Sequence, residues 1–453
     1  IEGWLAENRF KFGINWNCPM EVAIRVSNWI VAFEIFKKSS KIDAFFIKKF
    51  IKTLYLHGYF IYSNLEYQES LTSNHYLADL CGLFYLGLFF RDFSFGKEWL
   101  EFSINEFEKE INKQVYTDGV DFESSTYYHR LATEFFFYPL FLARKNDINF
   151  SNKYQGKVKK MFEFLFSILK NGQLPQIGDN DSGFLHRFEE DERKVCNFLK
   201  LGLSFFGERN LEKKKCFEKG GIYILSTDGD TLIFSATPNG QHGNGGHTHN
   251  DKLSFQLIIG DEEFIVDPGT YIYVGNPDER NYFRSVISHT TVSVDGEEQN
   301  EFLTLFSMKD ESMAEVLEFW DTSEKSFISA QHYGYKKVKD CLIHRREILL
   351  IKKEACWQIT DIITNEKKHF KDTHLIQWNV IFHPDVKVDL REGKVFLKRK
   401  STLIIEFEED SLEFKLKECF YSPHYGKKIP ALKLNWQKEI EHPLIFKWKV
   451  KKI

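Results

Sequence analysis

From Glu21 to about Phe206, apolar residues recur at the spacing of a helix face. Val22, Val26, Trp29, Ile30 and Phe33 form one stripe, and Val158, Phe162, Leu165 and Leu169 form another. The period predicts helices over 20–38, 42–60, 74–92, 97–115, 124–146, 152–171 and 188–206, broken by short stretches such as Asp118-Gly119 and Asn171-Gly172. Short connections make consecutive helices antiparallel neighbours, as in a bundle or in hairpins that curl into an incomplete toroid. After the charged stretch Glu212–Lys215 the period changes. Gly221–Ser226, Thr231–Ala236, Leu253–Ile259, Glu263–Val266 and Thr290–Val294 read as strands, as do Leu342–Ile351, Trp357–Ile363, Leu375–Ile381, Leu403–Phe407 and Leu444–Val450. Many short strands with Asp-Gly and Asn-Gly turns indicate an antiparallel sandwich. Helices first and strands second predict an α+β chain of two domains, a helical one over 1–211 and a β-sandwich over 212–453.

Composition narrows the function. The 453 residues are 43% apolar and 28% charged, with 61 Lys+Arg against 65 Asp+Glu for a net charge of -4. That is a globular balance, and it makes nucleic acid a poor expectation for the partner. Aromatic residues reach 16%, which suits sugar-stacking platforms, although Phe-rich helix cores account for most of it. The longest apolar runs, Phe135–Leu142 and Leu83–Phe90, fall far short of the roughly 20 residues that a membrane-spanning helix needs. The chain opens with Ile1-Glu2-Gly3-Trp4 rather than Met, so its start is expected upstream and offers no argument about compartment. Seven cysteines without CxxC spacing exclude a zinc ribbon and a complete disulfide framework, and they are expected to be isolated, mostly buried thiols.

The densest polar cluster is Gln241-His242-Gly243-Asn244-Gly245-Gly246-His247-Thr248-His249-Asn250-Asp251. In an extended segment residues two apart face the same way, so His247 and His249 can converge on one site. His249, Asp267 and His289 each fall at the edge of an expected strand. Two imidazoles and a carboxylate suit Zn²⁺ or a similar cation, although Asp267 and His289 would serve equally as hydrogen-bonded turn residues. In the helical half, Ser73-Asn74-His75 and Glu123-Ser124-Ser125-Thr126-Tyr127-Tyr128-His129-Arg130 both open helices. Their Ser residues make ordinary N-caps. Free N–H groups at such ends also favour anions, which points to an acidic substrate.

Asn74-His75, Glu123 to His129, Gly246 to Asp251, Val266 to Tyr271 and Arg280 to Thr290, in this order and spacing, resemble the heparinase II/III-like polysaccharide lyase family. The resemblance implies an incomplete (α/α) toroid joined to a large antiparallel β-sandwich, and cleavage of a uronic-acid polysaccharide by β-elimination. It implies catalytic Tyr128 and His247, with Asn74 and His75 on the uronate carboxylate, and a structural zinc held by His249, Asp267 and His289. Glu123 and Arg130 are expected at the substrate as well. A periplasmic location is favoured by the resemblance alone. Tyr76 stands where the family often has Gly, and is expected to narrow the cleft. The tandem Tyr127 and Tyr128 leave the catalytic phenol open by one position.

Elimination removes the proton next to a carboxylate, so that charge must be neutralised while a base and an acid act. Asn74 and a protonated His75 would neutralise it, and His247 and Tyr128 supply the base and acid in either order. A phenol serving as base needs nearby positive charge, for which Arg130, His75 and His247 are at hand. Two other readings remain at this level: a glycoside hydrolase using Glu123, Asp179 or Asp181, and a non-catalytic sugar-binding protein of a surface-polysaccharide system. The near-neutral charge favours an unsulfated or lightly charged polymer, and the sandwich offers a surface for a homodimer.

Overall fold

The computed structural model describes residues 1–187, 194–208, 213–409 and 413–453. Helices run over Pro19–Phe36, Ala44–Ser63, Asn74–Phe89, Ser94–Gln114, Thr126–Lys145 and Asn152–Ile168, followed by Cys196–Phe205. A short helix, Glu2–Glu7, precedes them. The boundaries follow local chemistry: Pro19 opens its helix, and Asp43, Ser125 and Ser151 accept hydrogen bonds from the N–H groups of Phe46, Tyr128 and Tyr154. Asn74–Phe89 and Thr126–Lys145 are buried on nearly every side, which places them at the centre of the incomplete toroid. Phe84, Phe107, Phe135, Phe136, Phe137 and Phe162 fill the core between the helices, so the Phe content of this half is mostly packing.

The C-terminal half is antiparallel throughout its named pairings. A five-stranded meander uses Cys216–Phe217, Ile222–Ser226, Thr231–Ser235, Phe255–Ile259 and Glu262–Ile265 in chain order. An eight-stranded sheet has Leu444–Lys452 and Cys356–Thr364 at its centre, and a four-stranded sheet pairs His374–Ile381 with Lys427–Ile440. One hydrophobic core runs between these sheets, with Phe234, Trp357, Trp378, Trp436 and Phe446 among its members. Fold and layer order are those expected of a toroid followed by a sandwich.

Several elements differ from the sequence expectation. The segment expected as a helix over 188–206 is helical from Cys196, and residues 188–193 lie outside the described residues, as does the expected boundary at 211/212. The expected strand at Leu253 begins at Phe255, because Leu253 has a positive φ of 61°. Strands Ala314–Asp321, Lys387–Arg391, Phe414–His424 and Lys427–Ile440 were not expected: their apolar residues, such as Leu432, Leu434 and Trp436, alternate with Lys, Glu and Asn instead of forming a continuous apolar run, and ladder pairing holds them in the sheet. The cysteines are less buried than expected, with only Cys81, Cys356 and Cys419 inside and Cys341 exposed.

Asp361 stitches the sandwich together. Its buried carboxylate accepts hydrogen bonds from Arg346 Nε at 2.7 Å, His344 Nε2 at 2.8 Å, Trp378 Nε1 at 3.0 Å and Trp448 Nε1 at 3.2 Å. Arg346 also donates to the carbonyls of Leu253 and Thr290, both at 2.8 Å, tying the sheet to the loops that carry His249 and His289. Burial alone would raise the Asp361 pKa, but Arg346 and His344 outweigh it and hold it below the usual range. A carboxyl depressed in the folded state adds stability above its unfolded pKa of about 4 and loses it progressively below that. Asp361→Asn should therefore destabilise the protein by about 3 kcal/mol near neutral pH, as judged by denaturant unfolding. The gap between variant and wild type should narrow as pH falls below about 4.

Candidate active site

The two helix N-termini named by the sequence meet at one cleft. Ser73 caps its helix through His75 N–H at 3.4 Å, and Ser125 caps the other through Tyr128 N–H at 3.2 Å. The cleft, about 670 Å³, is lined by Asn74, His75, Tyr128, Asp181, His247 and Tyr273, with Cys18 and Glu66 at the His75 side. His75 Nδ1 lies 2.9 Å from Glu66 Oε1. Burial works against a charge on His75, but its contacts with Cys18 and Glu66 prevail and raise the imidazole to about 10. The cleft wall thus carries an imidazolium at neutral pH.

Asp179 is the hub on the opposite side. Its buried carboxylate takes His247 Nδ1 at 3.0 Å, His249 Nε2 at 2.9 Å and Arg280 NH2 at 2.7 Å, with Arg280 NH1 as a further donor. Burial would raise its pKa, yet Arg280 and the two histidines hold it well below the carboxylate range. The backbone fixes the hub in place: Asp179 N–H donates to His247 O at 3.0 Å, and Ser125 Oγ donates to Asp179 O at 2.5 Å. Gly178, at φ +66°, allows this approach, since a Cβ there would meet His247 O at 2.6 Å and Ser124 O at 2.8 Å.

With Nδ1–H given to Asp179, His247 turns Nε2 towards Glu123 Oε2 at 3.8 Å, and its ring stacks on Tyr128 at 3.6 Å between centroids, 15° from parallel. The Tyr128 hydroxyl meets Asp181 Oδ2 at 3.0 Å and Tyr273 OH at 3.1 Å. Burial, then Tyr273, Asp181 and Asp179, push this phenol well above its ordinary value. Tyr128 is therefore held protonated. Of the residues expected to assist it as a base, His247 stacks on its ring, but the hydroxyl itself meets one carboxylate and a second phenol.

His249, Asp267 and His289 converge behind the hub, with one donor atom from each within 4.8 Å of the others. His289 Nδ1 faces the acceptor-only Ser285 O at 2.8 Å, and His249 Nε2 faces Asp179, so both of these nitrogens carry hydrogen. The other two nitrogens, His249 Nδ1 and His289 Nε2, lie 3.2 Å apart, with Asp267 Oδ2 3.4 Å from the latter. Two buried imidazoles, each anchored through its other nitrogen, and one carboxylate beside them are a donor set that a zinc ion fits.

Residues 6–209 match the heparinase II/III N-terminus, and residues 209–447 match the heparinase II/III-like C-terminal family. The chain belongs to the heparinase II/III-like family. A heparin-sulfate lyase of Pedobacter heparinus is 27% identical to this family member over 301 residues, covering 62% of this chain and 44% of that protein. A heparin-sulfate lyase of Bacteroides stercoris is 24% identical over 429 residues, covering 89% of this chain and 58% of that one. The chain thus spans about half the length of the curated relatives it matches. Among solved structures, heparinase III superposes with a TM-score of 0.78 at 16% identity, covering 100% of this chain and 72% of that chain. A heparan sulfate lyase mutant from Pedobacter heparinus superposes with a TM-score of 0.73 at 21% identity, covering 100% and 71%. At these identities the superpositions establish the fold alone.

The structure redistributes several expected site residues of this heparinase-like chain. Arg130 does not reach the cleft. It is 1% exposed, pairing with Glu134 at 2.7 Å, donating to Gly183 O at 2.5 Å and lying over the Phe184 ring, so it sits behind cleft-lining Gly183 and Phe184. Glu123 is also buried, and its carboxylate accepts from Asn74 N at 3.0 Å and from Asn74 Nδ2 at 2.9 and 3.1 Å. It anchors Asn74 rather than facing substrate. Asn74 consequently directs its amide hydrogens at Glu123, and its buried Oδ1 is left without a partner. Tyr76 turns into the helical core, bonding Glu106 at 2.9 Å, so it does not narrow the cleft. Tyr127 is likewise buried, with its hydroxyl 3.4 Å from Leu174 O, so of the tandem pair it is Tyr128 that lines the cleft. His129 is structural: its Nδ1 accepts from Asp121 N–H, and burial lowers it to about 3. His242 lies exposed against Phe122, apart from the other two imidazoles of its motif. Asp179 appeared in the sequence only as a hydrolytic candidate, and Tyr273 and Glu66 did not stand out at all.

Because Arg280 is wholly buried against Asp179, Asp179→Asn should lower stability by about 3 kcal/mol by leaving an unpaired buried cation. Adding Arg280→Met should restore part of that loss in denaturant unfolding, whereas equal stability of Asp179→Asn and wild type would show that the hub carries no such pairing.

Proposed function

We propose that this chain carries the active centre of a polysaccharide lyase that cleaves a uronic-acid-containing polymer by β-elimination. The observation that carries the reading is the stacked Tyr128–His247 pair in the cleft, with His247 oriented by a buried carboxylate and Tyr128 held protonated. His75, charged through Glu66, meets the uronate carboxylate and offsets the negative charge that grows as the neighbouring C–H bond breaks. His247 Nε2 takes that proton, because its other nitrogen is committed to Asp179 and Glu123 lies close enough to favour the resulting imidazolium. Tyr128 donates to the departing glycosidic oxygen, the role its surroundings favour over that of base. Asn74, whose amide hydrogens are engaged by Glu123, holds that carboxylate in place beside His247.

His249, Asp267 and His289 would hold a structural zinc that braces the His247–Asp179 hub. Bound there, the ion neutralises the converging acceptors and adds its binding energy to folding. The substrate is proposed to be heparan-like or another uronate polymer of low sulfation. The relatives' names supply the first part, and the chain's net charge of -4 supplies the second. A hydrolase has less support: of Glu123, Asp179 and Asp181 only Asp181 lines the cleft. A binding protein with a blocked cleft has less support as well, because Tyr76, the residue expected to narrow the cleft, is buried in the helical core.

Tyr128→Phe and His247→Ala should each lower kcat about 10²-fold or more, followed by the ultraviolet absorbance of the unsaturated uronate product. Tyr127→Phe should stay close to wild type. Full activity in all three would place the chemistry elsewhere. Metal analysis should find zinc in stoichiometric amount, lost in His289→Ala together with thermal stability. A zinc-free, fully stable wild type would refute the metal assignment.

A further inference from the structure

At the edge of the cleft three side chains from separate elements come together. Cys18 is the residue before helix Pro19–Phe36, Glu66 lies in the loop after Ala44–Ser63, and His75 is in the first turn of Asn74–Phe89. Cys18 Sγ is 3.7 and 3.9 Å from the two Glu66 oxygens and 4.0 Å from His75 Nδ1, which is itself 2.9 Å from Glu66 Oε1. A tetrahedral zinc with ordinary bond lengths spaces its S, N and O ligands about 3.3–3.7 Å apart, so these atoms need to shift by only about half an ångström. The backbone orients the carboxylate: Met20 N–H donates to Glu66 Oε2 at 2.9 Å, and Glu66 N–H donates to Asp79 Oδ2 at 2.7 Å. All three side chains border open space in the cleft.

We propose that Cys18, Glu66 and His75 form a second, solvent-reached site for a thiophilic divalent cation of the zinc class, with its fourth coordination position open to the cleft. A thiolate, a carboxylate and an imidazole match the ligand preferences of such an ion, and three protein ligands with one open position are the arrangement that accepts an exogenous oxygen donor. Binding releases the Cys18 proton and exchanges the His75 Nδ1 proton for the cation. The formal charge of the three groups with the cation is therefore unchanged at zero, and the carboxylate of an acidic ligand can complete the coordination at the open position. This site differs from the buried His249–Asp267–His289 trio in holding a cysteine and in being accessible, and both differences are readable without any assay of turnover.

The experiment follows iodoacetamide alkylation of each cysteine by peptide mass spectrometry, on protein carrying its tightly bound metal, with and without added zinc. The thiolate is the species that reacts, so coordination should slow Cys18 about tenfold or more while exposed Cys341 serves as the unprotected control. Protection should disappear in Glu66→Gln and in His75→Ala. Added Co²⁺ should give a thiolate-to-cobalt charge-transfer band in wild type that is absent from Cys18→Ser. The inference is overturned if zinc leaves the alkylation of wild-type Cys18 unchanged, if it protects Cys341 equally, or if the cobalt band persists in Cys18→Ser.

Discussion

A single buried negative charge organises this protein. Asp179 sits between the domains, and its carboxylate is the common acceptor for a cleft histidine, a candidate metal ligand and a buried arginine. A charge without solvent is tolerable only when its partners are fixed, and the surrounding segment is bonded to both domains. Thr126 N–H donates to Ile177 O at 3.1 Å on the helical side, while Asn180 N–H donates to Thr270 Oγ1 at 2.8 Å and Gln176 Nε2 to Ser422 O at 3.1 Å on the sandwich side. The cleft geometry and the docking of the two halves therefore depend on the same few bonds. Disturbing the hub would rotate the His247 ring, unpair Arg280 and loosen His249 together, which is why effects of substitutions in this cluster should not add.

The electrostatics divide the cleft into unlike ends. His75 and Glu66 place a cation at one wall, whereas Asp181, Tyr273 and the buried Asp179 surround the Tyr128 hydroxyl and keep its proton on. An acidic sugar lying across the cleft meets positive charge at its carboxylate and a neutral donor at its leaving oxygen. In the proposed reaction that separation suits a charged His75 to the carboxylate and a protonated Tyr128 to the leaving oxygen.

Much of this was legible in the sequence. Helical periodicity located most of the toroid, the apolar strands marked the sandwich, and the clustering of His247 and His249 with the motif around Tyr128 identified the cleft. Other features depend on tertiary placement. Glu123 and Arg130 lie in the right motif but turn inward, Glu123 to the Asn74 amide and Arg130 to Glu134. Asp179 and Tyr273 stand alone in loops and gain meaning only when the chain brings them beside residues some 70 to 145 positions away. Glu66 and Cys18 become partners of His75 for the same reason. Long charged strands such as Lys427–Ile440 escaped notice because ladder pairing, rather than an apolar run, sets their conformation.

In the proposed reaction the cleft breaks a glycosidic bond by elimination, with proton transfers through His247 and Tyr128 and no water entering the product. Digestion of an unsulfated uronate polymer in heavy-oxygen water, read by mass spectrometry of the fragments, tests it most directly. Elimination predicts that each cut leaves one fragment lighter by a water molecule and carrying a double bond, with no label introduced by the cut itself. Saturated fragments bearing the heavy oxygen at the new end would contradict the account and assign the cleft to hydrolysis.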